Sequence, residues 1–150
     1  MQFTIDASEA YAAFENIKPT QLLMRDIAAY ACNPVVQYQR DHCPVDTQRT
    51  KNSVRYDIIE LSEGKVTATV GPTTPYAVYI EYGTGIYAEN GQGRTTPWSY
   101  VNRLGRWVTT EGNPAQPFIR PSATDPRVKD AMDALVNTKL NQFLHENWHK

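Results

Sequence analysis

The sequence predicts an α+β fold, in which an antiparallel sheet made of two hairpins packs against a long N-terminal helix and a long C-terminal helix. Two stretches, one towards each end, repeat apolar residues at helical spacing, and short runs rich in β-branched and aromatic residues lie between them. With 150 residues, 41% of them apolar and 21% charged, the chain is expected to form a single soluble domain over residues 1–150.

Helical patterns occupy the first part of the chain. Residues 7–17 predict a short amphipathic helix, and Pro19 suits the start of the next one, because its missing N–H is not needed there. Pro34 predicts either a second helix or a kinked continuation that runs to about Asp41, and the approach to Pro44 ends it. The apolar positions before Pro34 are Leu22, Leu23, Ile27, Tyr30 and Ala31.

A hairpin follows in the middle of the chain. Residues 54–61 are rich in Val, Ile and Tyr, and residues 65–70 alternate as KVTATV. Residues 62–64 lie between them and contain a glycine, which favours a turn.

The segment from Pro75 to Gly85 is the most unusual in the chain. A helical turn that starts at Pro75, capped by Thr73 or Thr74, is preferred for it. The alternative is a strand that places Tyr76, Val78, Ile80 and Tyr82 on one face. Tyrosines recur at three-residue spacing before Gly83-Thr84-Gly85, at Tyr76, Tyr79 and Tyr82. Large amphipathic side chains on a sharply terminated element suit contact between protein surfaces better than catalysis.

The second half predicts a loop and another hairpin. Residues 83–97 hold four of the eight glycines and predict a mobile loop. Residues 98–102 and 106–111 predict two strands that carry Trp98 and Trp107, with a turn between them.

The last helix is expected to follow the proline-rich residues 114–126. Its apolar stripe consists of Val128, Met132, Leu135, Val136, Leu140, Phe143 and Leu144. Burial of such side chains stabilises by roughly 1.5–3 kcal/mol each before entropy is subtracted, so this helix is predicted to be a principal core element.

Composition excludes several classes of function. A net charge of −1 gives no electrostatic reason to expect direct nucleic-acid binding, which usually needs a strongly basic face. The first residues lack the basic start and apolar run of a signal peptide, and no window approaches the roughly 18 apolar residues of a membrane span. Cys32 and Cys43 fit a reducing compartment and are expected to be buried or half-buried thiols.

One catalytic motif occurs, at residues 145–149. They spell H-E-x-x-H, which in metalloproteases supplies two zinc ligands, here His145 and His149, and a general base, here Glu146. A catalytic zinc needs a third protein ligand, and no histidine follows His149. Histidines near a helix C-terminus also interact favourably with the helix dipole. A small zinc hydrolase is therefore the alternative, and a non-enzymatic protein without a cofactor is the preferred prediction.

Four segments, taken in order, carry a family resemblance: residues 43–54, 70–85, 98–112 and 115–122. They resemble the lambdoid-phage tail-component family, the gene-product-ten-like neck, head–tail joining and tail-completion proteins. The residues that match the family's motifs are Val45, Asp46, Thr47, Asn52 and Ser53, then Pro75, Tyr76, Ala77, Tyr79, Ile80, Glu81, Tyr82, Gly83, Thr84 and Gly85, then Pro117, Phe118, Ile119, Arg120 and Pro121. The departures are Gln48 for the usual Gly, Thr50 for Leu and Ser122 for Ala.

The resemblance implies an α+β fold and a structural role in the virion, with assembly in the host cytoplasm. Copies are expected to form a homo-oligomeric ring at the head–tail junction, through whose lumen DNA passes without sequence-specific binding. The expected partners are other copies, the head-closure or connector protein, and the tail terminator or tail tube protein. The nearest alternatives within this class are a tail terminator and a minor tail component.

A closed head-to-tail ring needs two complementary patches on each subunit. We expect one patch on Tyr79, Tyr82 and loop 83–97, and the other on the hairpin at 98–108. Glu81 and Arg120 are expected to pair, either within one chain or between two. The full set of predicted interface residues is Tyr79, Glu81, Tyr82, Gly83, Thr84, Gly85, Trp98, Trp107, Phe118 and Arg120.

Overall fold

The computed structural model describes residues 2–6, 21–44, 48–62 and 65–148. In chain order, its elements are strand β1 (Gln2–Asp6), helices α1 (Gln21–His42) and α2 (Arg49–Ser53), strands β2 (Val54–Ser62) and β3 (Lys65–Pro72), helix α3 (Ala77–Tyr82), a 3₁₀ helix (Gly85–Tyr87), strands β4 (Trp98–Val101) and β5 (Trp107–Thr110), and helices α4 (Arg120–Thr124) and α5 (Pro126–Trp148). The α+β class, both long helices and both hairpins are confirmed. The helix predicted over residues 7–17 lies outside the described residues.

The described strands form two separate antiparallel sheets. The first has the order β1-β3-β2, and the second consists of β4 and β5. The two predicted hairpins therefore do not share one sheet, and the first hairpin instead gains β1, which the sequence analysis did not predict. β1 pairs with β3 from Gln2 opposite Thr69 to Asp6 opposite Lys65, a contact between distant parts of the chain.

Helix α1 continues through Pro34. Of the two alternatives at this residue, the continuation is confirmed and a separate second helix is not formed. The helix ends at His42, directly before Cys43-Pro44, because the residue before a proline is pushed out of the helical region.

Helix α1 is central to the core because it packs against β2, β3 and α5. Its buried side chains follow a helical stripe: Leu23, Met24, Ile27, Ala28, Ala31, Cys32, Val35, Val36 and Gln39. On the predicted stripe of α5, Val128 is buried and the other six residues are half-buried. The two cysteines are free and buried, as predicted.

The segment after Pro75 is helical, so the preferred alternative is confirmed and the strand is not formed. The expected threonine cap is absent at the start of α3: the main-chain carbonyl of Thr74 accepts from the N–H of Ala77, and its hydroxyl bonds to Thr50 instead. Tyr76, Tyr79 and Tyr82 are 64%, 57% and 43% exposed, which shows that all three tyrosines face outward from this chain.

Helix α5 begins with a strong cap. The Asp125 carboxylate accepts from the N–H of Arg127 at 2.9 Å, and Pro126 occupies the first helical position. Hydrogen bonds from the Arg127 side chain and backbone lower the pKa of Asp125 to about 2. The end of the proline-rich segment is therefore tied to the start of the long helix.

Candidate partner-binding surface

Glu81 is the centre of a hydrogen-bond network that joins α3 to α4. Its side chain is only 2% exposed. Oε2 accepts from the N–H groups of Phe118 and Ile119, and Oε1 from that of Arg120, each at 2.9 Å. Burial by itself raises the pKa of this carboxyl, but the hydrogen bonds outweigh burial and hold the pKa of Glu81 below its usual value. Glu81 is therefore a buried carboxylate that satisfies the backbone leading into α4.

The Arg120 side chain extends this network to the surface. Its Nε donates to Glu81 Oε1 at 3.0 Å, and its Nη1 and Nη2 donate to the two carboxylate oxygens of Glu89 at 2.8 and 3.1 Å. Its guanidinium also lies 4.7 Å from the ring centroid of Tyr82, within the range of a cation–π contact. The hydrogen bonds from Glu89 and Glu81 raise the pKa of Arg120.

Glu81 and Arg120 therefore pair within the chain. Glu89, the second carboxylate partner of Arg120, was not among the predicted interface residues. It stands 31 positions from Arg120, and nothing in the surrounding residues marks it as a partner.

Residues 83–117, which we call the arm, leave the fold at α3 and return to it at Phe118. The two ends of the arm are joined by backbone hydrogen bonds. The N–H of Thr84 donates to the carbonyl of Asn113 at 2.9 Å, and the N–H of Asn113 donates to the Thr84 hydroxyl at 3.0 Å. The N–H of Ile86 donates to the carbonyl of Glu111 at 3.0 Å. The arm is therefore fastened along several residues at its base.

Glycines allow the two ends of the arm to approach this closely. Gly85 has a φ of 63°, and a Cβ there would overlap the carbonyl of Glu111. Gly112 has a φ of 123°, and a Cβ there would overlap the carbonyl of Thr84. The Gly-Thr-Gly sequence is therefore needed for close backbone approach as well as for the end of α3.

The β4–β5 hairpin forms the outer part of the arm and has two different faces. Opposite residues in an antiparallel pair share a face, and successive residues alternate between faces. Trp98 opposite Thr110 and Tyr100 opposite Val108 define the inner face. Ser99 opposite Thr109 and Val101 opposite Trp107 define the outer face. Three of the four inner-face residues are half-buried, whereas all four outer-face residues are exposed.

A groove of about 390 Å³ lies between α3 and the base of this hairpin. Aromatic side chains are prominent in its lining, and one of them, Trp98, lies 5.6 Å from the guanidinium of Arg94. The residues that line the groove are Val78, Tyr79, Tyr82, Gly83, Thr84, Gly85, Ala88, Asn90, Gln92, Gly93, Arg94 and Trp98. Arg94 was part of the predicted patch only as a member of loop 83–97, and Val78 was not placed in that patch, because the participation of each side chain depends on how the loop folds back.

The predicted interface residues divide by exposure. Tyr79, Tyr82, Trp107 and Arg120 are exposed, Thr84 and Trp98 are half-buried, and Glu81, Gly83, Gly85 and Phe118 are buried. Tyr79, Tyr82, Gly83, Thr84, Gly85 and Trp98 meet at the groove, whereas Trp107 lies on the outer face of the hairpin. Phe118 belongs to the hydrophobic core. Whether this region meets another subunit stays a prediction, and it concerns the exposed members of the set.

The alternative zinc site is described only in part. His145 and Glu146 are exposed on α5, and His149 lies outside the described residues. Over residues 2–6, 21–44, 48–62 and 65–148, no group of three or more His, Cys, Asp or Glu side chains is placed to hold a metal ion. In the same residues, no helix is long and apolar enough to cross a membrane.

The described residues thus place several aromatic side chains around one groove. The model of the HK97-gp10-like family, described as "Bacteriophage HK97-gp10, putative tail-component", matches residues 9–83, half of the chain. The chain belongs to this family. No curated protein and no solved structure matched it. The match covers the first two motif segments as far as Gly83, the first residue of the arm, and the rest of the arm lies beyond it.

Proposed function

We propose that this chain is a structural virion protein of the phage head–tail junction. In this role it acts as a neck or tail-completion protein whose copies form a closed ring between the head connector and the tail. DNA passes through the lumen without sequence-specific contacts, and the protein needs no cofactor and catalyses no reaction. Membership of a tail-component family supports the structural class.

The observation that carries the proposal of assembly is the distribution of exposed apolar side chains. Of the thirteen large hydrophobic residues that are exposed in the described part of the chain, ten lie between residues 76 and 107. They are Tyr76, Val78, Tyr79, Tyr82, Ile86, Tyr87, Tyr100, Val101, Leu104 and Trp107. A concentration of this kind marks a surface that another protein covers.

The hydrogen-bond network around Glu81 supports a structural role for this side chain. A buried carboxylate that is saturated by three amides and one guanidinium has no free lone pair for catalysis. The Glu81 carboxylate instead links α3 to the start of α4 through hydrogen bonds, which holds both ends of the arm in place.

The test is a phage that lacks this chain, together with reconstitution from purified proteins. A junction protein predicts filled heads and complete tails that accumulate separately and join when the chain is added. Native mass measurement and negative-stain imaging should then show a ring on the connector.

Other outcomes identify the alternatives. Tails of uncontrolled length would identify a tail terminator, and absent tails a minor tail component. Normal particles that do not contain the chain would overturn the proposal.

A further inference from the structure

The inner and outer faces of the β4–β5 hairpin point in opposite directions, and of the two only the inner face contributes a side chain to the groove of its own chain. Trp98 lies on the inner face and lines the groove. Trp107 is opposite Val101 on the outer face, so its side chain points away from that groove. The chain therefore carries an aromatic-lined groove and a projecting tryptophan that cannot meet each other within one copy.

The outer face is an apolar surface without a cover among the described residues. Trp107 is 75% exposed and Val101 50% exposed. The other two residues of the outer face, Ser99 and Thr109, are hydrogen-bonded to each other through their hydroxyls at 2.7 Å. These polar groups beside Trp107 and Val101 are therefore already satisfied. An isolated two-stranded hairpin is marginally stable in water, which makes the exposure of a tryptophan on it unfavourable unless another surface covers it.

We propose that the outer face of the hairpin in one copy, centred on Trp107, binds in the groove beside Tyr79 and Tyr82 of the next copy. This inference rests on the proposed ring and names its contact. Because the two patches differ and lie on opposite faces of one hairpin, the contact is head-to-tail, which is the kind that closes rings. Two identical patches facing each other would instead give an isolated two-fold dimer.

The area available suits a second copy. An aromatic side chain offers roughly 150–250 Å², so the ten exposed residues between 76 and 107, each about half exposed, offer on the order of 1,000 Å² in total. The non-polar part of a standard interface of about 1,600 Å² is of the same order. Five of these ten residues form the two patches, namely Val78, Tyr79 and Tyr82 at the groove and Val101 and Trp107 on the outer face, and the other five leave further exposed apolar area on the same segment of the chain.

The base of the arm holds this surface in a defined direction. Glu81, Arg120 and Glu89 link α3, α4 and the loop, and Thr84 is bonded to Asn113 across the base. A pre-organised hairpin loses little conformational freedom on binding, and a fixed angle between the two patches is what a ring of defined size requires.

Cysteine cross-linking tests the contact without removing its aromatic residues. Thr109→Cys places a thiol on the outer face, and Gln92→Cys places one at the groove; both positions are exposed. The native thiols give a low background, because burial raises the pKa of Cys32 to about 12 and also raises that of Cys43. The variants are assembled into particles in infected cells and treated with a short bis-maleimide.

The expected result is a ladder of covalent oligomers from the double variant and none from either single variant. Dimers from Thr109→Cys alone would mean that two outer faces meet, which overturns the proposal. As a matched control, Thr109→Cys is paired with Asn137→Cys, an exposed position on α5, and should give no ladder. Particles that contain the chain but yield no ladder overturn this contact and leave the proposed function standing, whereas particles without the chain overturn the function.

A second measurement removes the tryptophan. Trp107→Ala should weaken assembly by at least about 30-fold, the effect of losing a binding hot spot, and Trp107→Phe should restore part of it. Leu22→Ala, which removes an equally exposed apolar side chain from α1, should leave assembly unchanged. Equal losses in Trp107→Ala and Leu22→Ala would contradict the assignment.

Discussion

The body of the molecule, formed by α1, α5 and the sheet β1-β3-β2, differs from the arm in what it buries. The described core of sixteen buried hydrophobic residues lies entirely outside residues 83–117. Within the arm, the only buried residues are Gly83 and Gly85, so no side chain there is fully buried. The body is stabilised by apolar burial, whereas the arm depends on backbone hydrogen bonds, close glycine contacts and one buried carboxylate.

This difference shows how a small chain can present a large apolar surface. A segment with no core of its own cannot offset the entropy of ordering it by burial. It must be fastened to a body that is stable by itself, and its exposed aromatic residues remain available for a partner. The comparison predicts that mutations in the body act on global unfolding and that mutations at the base of the arm act first on the arm.

The largest effect is expected from Phe118→Ala, where the arm returns to the body. Phe118 is fully buried in the core cluster that includes Val35 and Val54, and truncation of such a residue costs about 3–5 kcal/mol in unfolding free energy. Urea denaturation measures the loss. The control is Tyr100→Ala, an exposed aromatic of the arm, which should change the value by less than about 1 kcal/mol. Equal losses would show that the arm has a core of its own.

Glu81→Gln should come next, with a loss of about 3 kcal/mol in unfolding free energy. The NH₂ group of the new amide would face backbone N–H groups, which are also donors, and Arg120 would lose its charged partner at this position. Hydrogen exchange should show the amides of Thr84 and Ile86 losing protection before those of the body. Glu89→Gln is the matched control: its carboxylate is half-exposed, and the loss should stay below about 1 kcal/mol. Similar losses in the two variants would count against a special role for Glu81.

Gly85→Ala tests the close approach at the base of the arm. The substitution combines a positive φ with overlap of the Glu111 carbonyl, and we expect a loss of about 2–3 kcal/mol. Gly91→Ala is the control, because its φ of 67° is similar but its surroundings are open; about 1 kcal/mol is expected there. If the two variants unfold at the same urea concentration, the contact between Gly85 and Glu111 is not required.

A smaller and graded effect is expected from acid. The pKa of Glu81 in the folded protein lies below the unfolded value of about 4.3, so ionised Glu81 stabilises the fold above that pH. Its contribution is lost as pH falls through the folded-state pKa. The difference in urea midpoint between the wild type and Glu81→Gln should therefore be constant from pH 7 to 5 and shrink as the pH falls below about 4. A difference that grows on acidification would mean that the pKa of Glu81 is raised.

Most of the body follows from local patterns in the sequence. The apolar spacing of Leu22, Leu23, Ile27, Tyr30 and Ala31 predicts the first part of α1, although Leu22 and Tyr30 are exposed. The alternation from Lys65 to Val70 predicts β3. β1 was missed, although Phe3 and Ile5 alternate with polar residues, because five residues are a weak signal and the paired residues of β3 lie 59 to 67 positions away.

The candidate site was harder to predict for a related reason. Tyr79, Tyr82, Trp98 and Trp107 were selected as aromatic residues near glycines, and the structure assigns them to a groove and to the opposite face of a hairpin. Glu81 was expected in a pair, but its burial depends on three amides that lie 37 to 39 positions downstream. Composition and residue spacing report only local geometry. The hydrogen bonds of Glu81 join residues on either side of the arm, so no local sequence pattern indicates them.

The smallest effect on stability is expected from Trp107→Ala, which compares an aromatic residue of the arm directly with one of the body. Trp107 begins β5 and Phe118 directly follows the arm; both are large aromatic residues, yet Trp107 is 75% exposed and Phe118 is fully buried. Truncation of an exposed residue away from any cap or network should change the free energy of unfolding by less than about 0.5 kcal/mol. The measurement is urea denaturation of the isolated chain at a concentration where it is monomeric, beside Phe118→Ala. A loss of 2 kcal/mol or more would mean that Trp107 packs within its own chain, because a residue reserved for a partner contributes to stability only when the partner is present.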